Sequence, residues 1–375
     1  MKTATVKSQA SRALKGATSN LQMSDIEQWL IEGVIFSHQP GKILIAWGES
    51  YWHETPKEKN SNWFYFPDFF LSEKKPWLHF EKSSILPTSE LISLLDGVPL
   101  ETPKMIKWKN PSKDLFVKGF QELQGLLRSR KLEKVVHYAL SKSSDTITPS
   151  HRKRAILSIL KNVQETPVFA YGFWKDSQGI LGATPELLFK VQKSSPKVLE
   201  TMALAGTQKT DSLSYQMLDD EKLLHEHDIV VDEIALRLSS FGQVDIGKLQ
   251  ILSLPILSHL YTPFCVRLHH ADDFSTFANL LHPTPSLGGR PRDTSMKWLH
   301  TYNRILPRGR YGAPVGYWDS LSNEQVCYVA IRNIMWDDNG LMMGAGGGII
   351  AESDLEMEWQ EVLLKTKSIV RLLDL

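Results

Sequence analysis

Cysteine is scarce in this chain. Cys265 and Cys327 are the two thiols in 375 residues. Two isolated thiols supply neither a disulfide framework nor a zinc ligand set, and they suit a reducing compartment. Net charge is also nearly absent: 43 Lys and Arg against 42 Asp and Glu leave +1. That removes any bulk electrostatic case for nucleic acid or an anionic membrane surface. A small anionic ligand needs only a local cluster of positive groups and stays open. No uninterrupted apolar run approaches the roughly 20 residues of a membrane helix. Internal repeats, low-complexity blocks and Pro/Gly/Ser-rich linkers are missing too. Residues 1–24 lack Asp and Glu, carry Lys2, Lys7, Arg12 and Lys15, and have no apolar segment of the secretory kind. Their composition also resembles that of a transit peptide. We read them as a flexible tail before a single domain over 25–375, in a cytoplasmic protein.

What is present is globular: 42% hydrophobic, 10% aromatic and 23% charged residues, enough for a large core. Apolar residues recur at helical spacing over 114–129 (Leu115, Phe116, Phe120, Leu123, Leu126, Leu127). Further helices are expected over 151–163, 218–238 and 355–373. Strands are expected over 41–47, 134–140 and 187–191. Two hairpins are expected: 168–174 with 180–182, and 326–336 with 341–344, the second turning at Asn339-Gly340. Strands in hairpins, with helices between the groups, predict antiparallel sheets flanked by helices, an α+β arrangement.

Five constellations could carry chemistry. Glu358, Glu361 and Lys365 stand at i, i+3 and i+7, one stripe of the closing helix. Two carboxylates and an ammonium suit a magnesium site beside an anion site; they also describe a solvated face. His225-Glu226-His227-Asp228 lacks the spacing of a helical zinc pair, and Glu226 is the candidate to face the closing helix. The run 344–348 (GAGGG) follows the strand 341–343 and reads either as a tight turn or as a nest of backbone N–H groups for an anion. The segment 281–291 (LHPTPSLGGRP) is too rich in Pro and Gly for regular structure. Lys134 and Glu186 stand at strand starts. In a closed pocket the amine could act as a base and the carboxyl as an acid; otherwise both are surface charges.

Taken in order, ten segments resemble the chorismate-utilising enzymes, the family of isochorismate, salicylate, anthranilate and aminodeoxychorismate synthases. They are KVV at 134–136, GATPELL at 182–188, LAGT at 204–207, HEHD at 225–228, HLYTPF at 259–264, LHPTPSLGG at 281–289, YGAPVGYWD at 311–319, AIR at 330–332, GGGII at 346–350 and EMEWQEVLLK at 356–365. The resemblance covers about 110–370 and implies two antiparallel sheets packed face to face with helices outside, in four layers. Within the family, amide-forming members typically carry Gln where Lys134 stands, and the LHPTP loop is similar to that of isochorismate synthases. That branch implies water addition at carbon 2 of chorismate and loss of the hydroxyl from carbon 4. It makes Lys134 the base and Glu186 the acid. It places Mg²⁺ on Glu226 and Glu361 with Glu358 close by. Arg332, Lys365 and backbone near Gly206, Gly346, Gly347 and Gly348 would bind the carboxylates, Thr207 would also bind substrate, and His259, beside Thr262, would contact the ring. No glutaminase subunit is implied. The salicylate branch and a catalytically silent homologue remain alternatives, as do menaquinone and siderophore roles. Leu223 stands where the family usually has an acid, Arg290 is unusual in its turn, and the first hundred residues show no match beyond completing the sheets.

Overall fold

The computed structural model describes residues 21–57, 61–192, 197–210, 214–270 and 272–375. The expected tail lies mostly outside the described residues, but its end does not: Met23 and Ser24 already belong to helix α1 (Met23–Ile31). The N-terminal third continues with β1 (Gly33–Gln39), β2 (Lys42–His53), β3 (Asn62–Tyr65), β4 (Trp77–Pro87), α2 (Thr88–Gly97) and α3 (Lys113–Arg128). The middle holds β5 (Lys134–Ser143), α4 (Pro149–Glu165), β6 (Phe169–Lys175), β7 (Gln178–Thr184), β8 (Leu187–Val191), β9 (Val198–Lys209) and α5 (Glu221–Leu238). Then come β10 (Gly242–Ile246), β11 (Gln250–Ser253), β12 (Leu257–Leu268), α6 (Phe274–Leu281), β13 (Gly289–Arg290) and α7 (Arg292–Ile305). The chain closes with β14 (Pro314–Asp319), β15 (Glu324–Val329), β16 (Asn333–Asp337), β17 (Gly340–Ile349) and α8 (Leu355–Leu373).

Among the described residues every strand pairing is antiparallel, and the pairings form one continuous ribbon. From one end it runs β13, β5, β17, β16, β7, β6, β1, β2, β4, β3, β14, β15, β8, β9, β12, with β10 and β11 sharing the last edge. The two expected sheets are therefore halves of one ribbon folded back on itself. Aromatic side chains fill the fold: Phe36 of β1 meets Tyr317 of β14 at 5.6 Å, and Phe66 meets Phe173 of β6 at 4.7 Å between ring centres. Residues of α1, α2, α4 and α8 bury a second apolar cluster against the outer face of the first half, while α5 and α6 contribute Val230, Ile234, Phe274 and Phe277 to the cluster that includes the other half. The first hundred residues supply the strands that join the halves.

Helices form where apolar spacing and a capping residue coincide. The Ser112 hydroxyl accepts the Leu115 N–H at α3, Asp220 accepts Leu223 N–H at α5, and Asp354 accepts two N–H groups at α8. Several expectations fail locally. The segment 281–291, read as too rich in Pro and Gly for regular structure, holds the last residue of α6 and the short strand β13. The run 326–336 is not one strand: it breaks between β15 and β16, where Arg332 adopts φ +57, a conformation no strand contains. And 344–348 is neither a turn nor a nest at a strand end, because these residues continue β17 in register with β5, from Gly344 opposite Leu140 to Gly348 opposite Val136.

Candidate active site

The cleft is built from strand backbone first. Val136 N–H donates to Gly288 O, away from β17, and Tyr138 O accepts from Tyr302 on the same side. By antiparallel alternation, their partners Gly348 and Gly346, with Gly344, turn N–H and C=O away from β5. Lys365 Nζ donates to Gly346 O at 2.7 Å across that free edge. The absence of side chains matters at Gly344, Gly346 and Gly348, where an added Cβ would collide with a neighbour, the backbone O of His137 in the case of Gly346. A Cβ at Gly348 would collide with the Glu226 carboxylate and the Lys134 stem, and one at Gly344 would collide with the Tyr311 ring. Across the cleft, β9 and β12 pair Thr207 with His259 and Ala205 with Leu260, leaving Gly206 as an extra residue at φ +73, a bulge.

These edges border a cleft of about 660 Å³, the open solvent at its mouth included, lined by Lys134, Glu186, Gly206, Thr207, Glu226, His259, Arg332, Gly346, Gly347, Gly348, Glu361 and Lys365. Thus all but one of the residues to which the resemblance gave a site role line one space. The exception is Glu358, which lies behind Gly347: a Cβ there would come within 3.1 Å of both Glu358 and Glu361. Of the HEHD run, Glu226 and His227 are buried while His225 and Asp228 are exposed. His227 is structural. Its Nδ1–H donates to Ala205 O at 3.3 Å and its Nε2 accepts from Thr262 at 2.8 Å, and burial holds it neutral at about 4.

The acids do not stand alone. Lys134 Nζ lies 2.9 Å from Glu226, Lys222 Nζ lies 2.9 Å from Glu358, and Lys365 Nζ lies 2.6 Å from Glu361. Accordingly, among the described residues no three acidic, His or Cys side chains already converge as a coordination sphere. The donor chemistry nevertheless fits magnesium, since all three groups are hard oxygen ligands. Glu358 bears the strain of the cluster: burial, then the like charge of Glu361, raise it to about 7 despite Lys222.

Glu186 is buried, and burial pushes its carboxyl up to about 8 even though Lys134 and Lys365 pull the other way. It is therefore mostly protonated at neutral pH. On the opposite side, Arg332 Nη2 lies 3.2 Å from His259 Nε2 and Nη1 donates to Ser368 Oγ at 3.1 Å. Arginine only donates, so His259 accepts at Nε2 and carries its proton on Nδ1, donating to Thr207 Oγ1 at 3.0 Å. Burial and the nearby Arg332 keep His259 well below its ordinary value. Burial lowers Arg332 to about 10, which leaves it cationic.

The sequence reading missed several residues here. The LHPTP loop forms a wall: Ser286 and Leu287 line the cleft, Ser286 Oγ donates to Leu204 O at 2.8 Å, and Arg237 and Arg292 clamp the loop carbonyls. Tyr311, quoted within a motif but given no role, lines the cleft too. Lys222 precedes Glu226 by one helical turn, a spacing that suggests a local pair, yet its partner is Glu358 on another helix. Leu223 packs with Met217 and Leu260 in a small apolar cluster, so no acid stands there. Arg290 sits outside the cleft among Glu133, Asp232 and Glu233, at 3.3 to 3.9 Å. Because Gly348 touches both a lysine and an acid, Gly348→Ala is expected to part Lys134 from Glu226 and to reduce ligand affinity at least about tenfold, the effect of 1.4 kcal/mol. Calorimetric titration with chorismate checks it.

No helix among the described residues is long and apolar enough to cross a membrane. The salicylate biosynthesis isochorismate synthase of Pseudomonas aeruginosa is 33% identical over 198 residues, 49% of this chain and 40% of that protein. Isochorismate synthase MenF of Bacillus subtilis is 28% identical over 267 residues, 69% of this chain and 55% of that one. The chain thus spans only about half the length of these curated relatives. Among solved structures, the menaquinone-specific isochorismate synthase MenF of Escherichia coli superposes with a TM-score of 0.73 at 19% identity, covering 92% of this chain and 90% of that one; at that identity the likeness speaks for the fold. A family model described as chorismate binding enzyme matches residues 80–374. That span carries every residue of the cleft, and the chain belongs to the chorismate-binding enzyme family.

Proposed function

We propose that the chain is a magnesium-dependent isochorismate synthase. The observation that carries this reading is the pairing of a buried amine, Lys134, and a buried protonated carboxyl, Glu186, in one cleft beside three carboxylates. Opposed proton-transfer roles need groups whose environments differ. Glu186 is suited to give a proton to the hydroxyl leaving carbon 4 of the ring. Lys134 is suited to take a proton from the water that attacks carbon 2, once its amine has parted from Glu226 and lost its own proton. The ring double bonds shift between these events, and water enters as water leaves, so the reaction is an isomerisation. Arg332, held by His259 and Ser368, presents remaining N–H groups to one substrate carboxylate. Lys365 and the outward N–H groups of Gly346 and Gly348 suit the other. Glu226, Glu358 and Glu361 would hold Mg²⁺, which when bound supplies Lewis-acid charge stabilisation and orientation.

The test is incubation with chorismate and Mg²⁺, with products separated by chromatography. Isochorismate alone is expected. Salicylate with released pyruvate, in the absence of any added lyase, would move the chain to the salicylate branch. A product that forms only with ammonia would overturn the role given to Lys134.

A further inference from the structure

We infer that Lys222 is a built-in competitor of the metal: a positioning residue whose ammonium occupies Glu358 and sets how weakly the acid cluster takes up a divalent cation. The inference rests on the metal site proposed above. It starts from charge. Glu226, Glu358 and Glu361 are each met by a lysine within 2.9 Å, so every acid of the cluster already has a basic neighbour before any cation arrives. A dication entering a cluster so paired gains far less Coulomb energy than one entering an unpaired one.

The three lysines are not equivalent. Lys134 and Lys365 line the cleft, and Lys365 also donates to Gly346 O, so both have substrate-facing uses. Lys222 does not line it; its side chain is 27% exposed and its hydrogen bond goes to Glu358, whose side chain is 4% exposed. Helix stability does not explain its position either. Lys222 is the second residue of α5, where the positive end of the helix dipole disfavours an ammonium. The neighbour that could have offset it with a fourth acid is Leu223, which is buried in an apolar cluster. Lys222 is thus a cation held at an unfavourable helix end, against the acid most crowded by its neighbours, with no substrate to contact.

Removing that charge while keeping the aliphatic stem should tighten metal binding. Lys222→Met is expected to bind Mg²⁺ at least fivefold more tightly than the parent protein, measured by isothermal titration calorimetry at pH 8.5 without substrate. Mn²⁺ titration followed by electron paramagnetic resonance should show the same shift. Lys222→Arg, which restores the charge, should return the parental affinity. Circular dichroism melting of the two variants verifies that each is folded. Weaker or unchanged metal affinity in a folded Lys222→Met would overturn the inference, since Lys222 would then merely orient Glu358 or be irrelevant to it. If the parent itself takes up neither Mg²⁺ nor Mn²⁺, the metal reading falls and this inference falls with it, whereas metal uptake with no response to Lys222→Met removes the inference alone.

Discussion

Lys134→Ala is expected to lower turnover of chorismate by about 10²–10⁴-fold, the usual contribution of a positioned base, while chorismate binding changes by no more than a few-fold. The asymmetry follows from where the amine sits. Lys134 opens β5 with 1% of its surface exposed, and its contacts run to Glu226, while Arg332 and Lys365, the cations that suit the substrate carboxylates, remain in the variant. Steady-state assays with calorimetric titration separate the two effects. Parental turnover in the variant would remove Lys134 from the chemistry. Lost binding with parental turnover at saturation would make it an anchor rather than a base. A folding readout belongs beside these, because the alanine leaves Glu226 nearly buried without its partner, and breaking a buried pair is costly.

Glu186→Gln should produce the second large effect, a loss of about 10²–10⁴-fold in turnover together with a gain in stability. The parent's activity should also fall as pH rises through about 8, where the buried carboxyl loses its proton. For stability, the folded value lies above the unfolded one, near 4.5. Between those two values the folded chain holds the extra proton and the unfolded chain does not. Stability therefore declines as pH rises from about 4.5 to about 8, and is flat above that. At 1.36 kcal/mol per unit the full penalty is at most about 5 kcal/mol. Glutamine stays neutral and escapes it, so the variant should be more stable than the parent at pH 8.5 and nearly equal to it at pH 4.5. Chemical denaturation at the two pH values checks the difference. A variant no more stable at the higher pH would mean that the folded protein does not hold Glu186 protonated near neutral pH, and that it is no acid.

The helices were legible because they depend on short-range chemistry, whereas the candidate site residues were named through the resemblance of ten segments in order and not from any one of them. The closing helix spans Leu355–Leu373, where apolar spacing and the Asp354 cap both place it. The long helix was read as starting at residue 218, but α5 starts at Glu221, after a short 3-10 turn over Ser214–Leu218, because Asp220 caps it. What could not be read depends on partners far away in the chain. Nothing local in GAGGG distinguishes a nest from a strand; only the register against β5 settles it. Nothing in the run 326–336 announces that Arg332 leaves the strand to reach His259 and Ser368. The identity of each acid's lysine is likewise a tertiary fact: of three pairs, only Glu361 with Lys365 is an i,i+4 contact. The motifs found the cleft, and geometry then exposed Lys222, Tyr311 and the loop wall.

The path of the ribbon bears on how the protein can be divided. The family match begins at residue 80, inside β4, yet β1 hydrogen-bonds to β6 and β3 to β14. A fragment starting there would strip both of those strands of a neighbour and leave two raw flanks of unsatisfied amides and carbonyls in the middle of the molecule, which invite intermolecular strand pairing. The strands before residue 80 join the two halves of the ribbon, so the family-matched portion is not a separable piece of the fold.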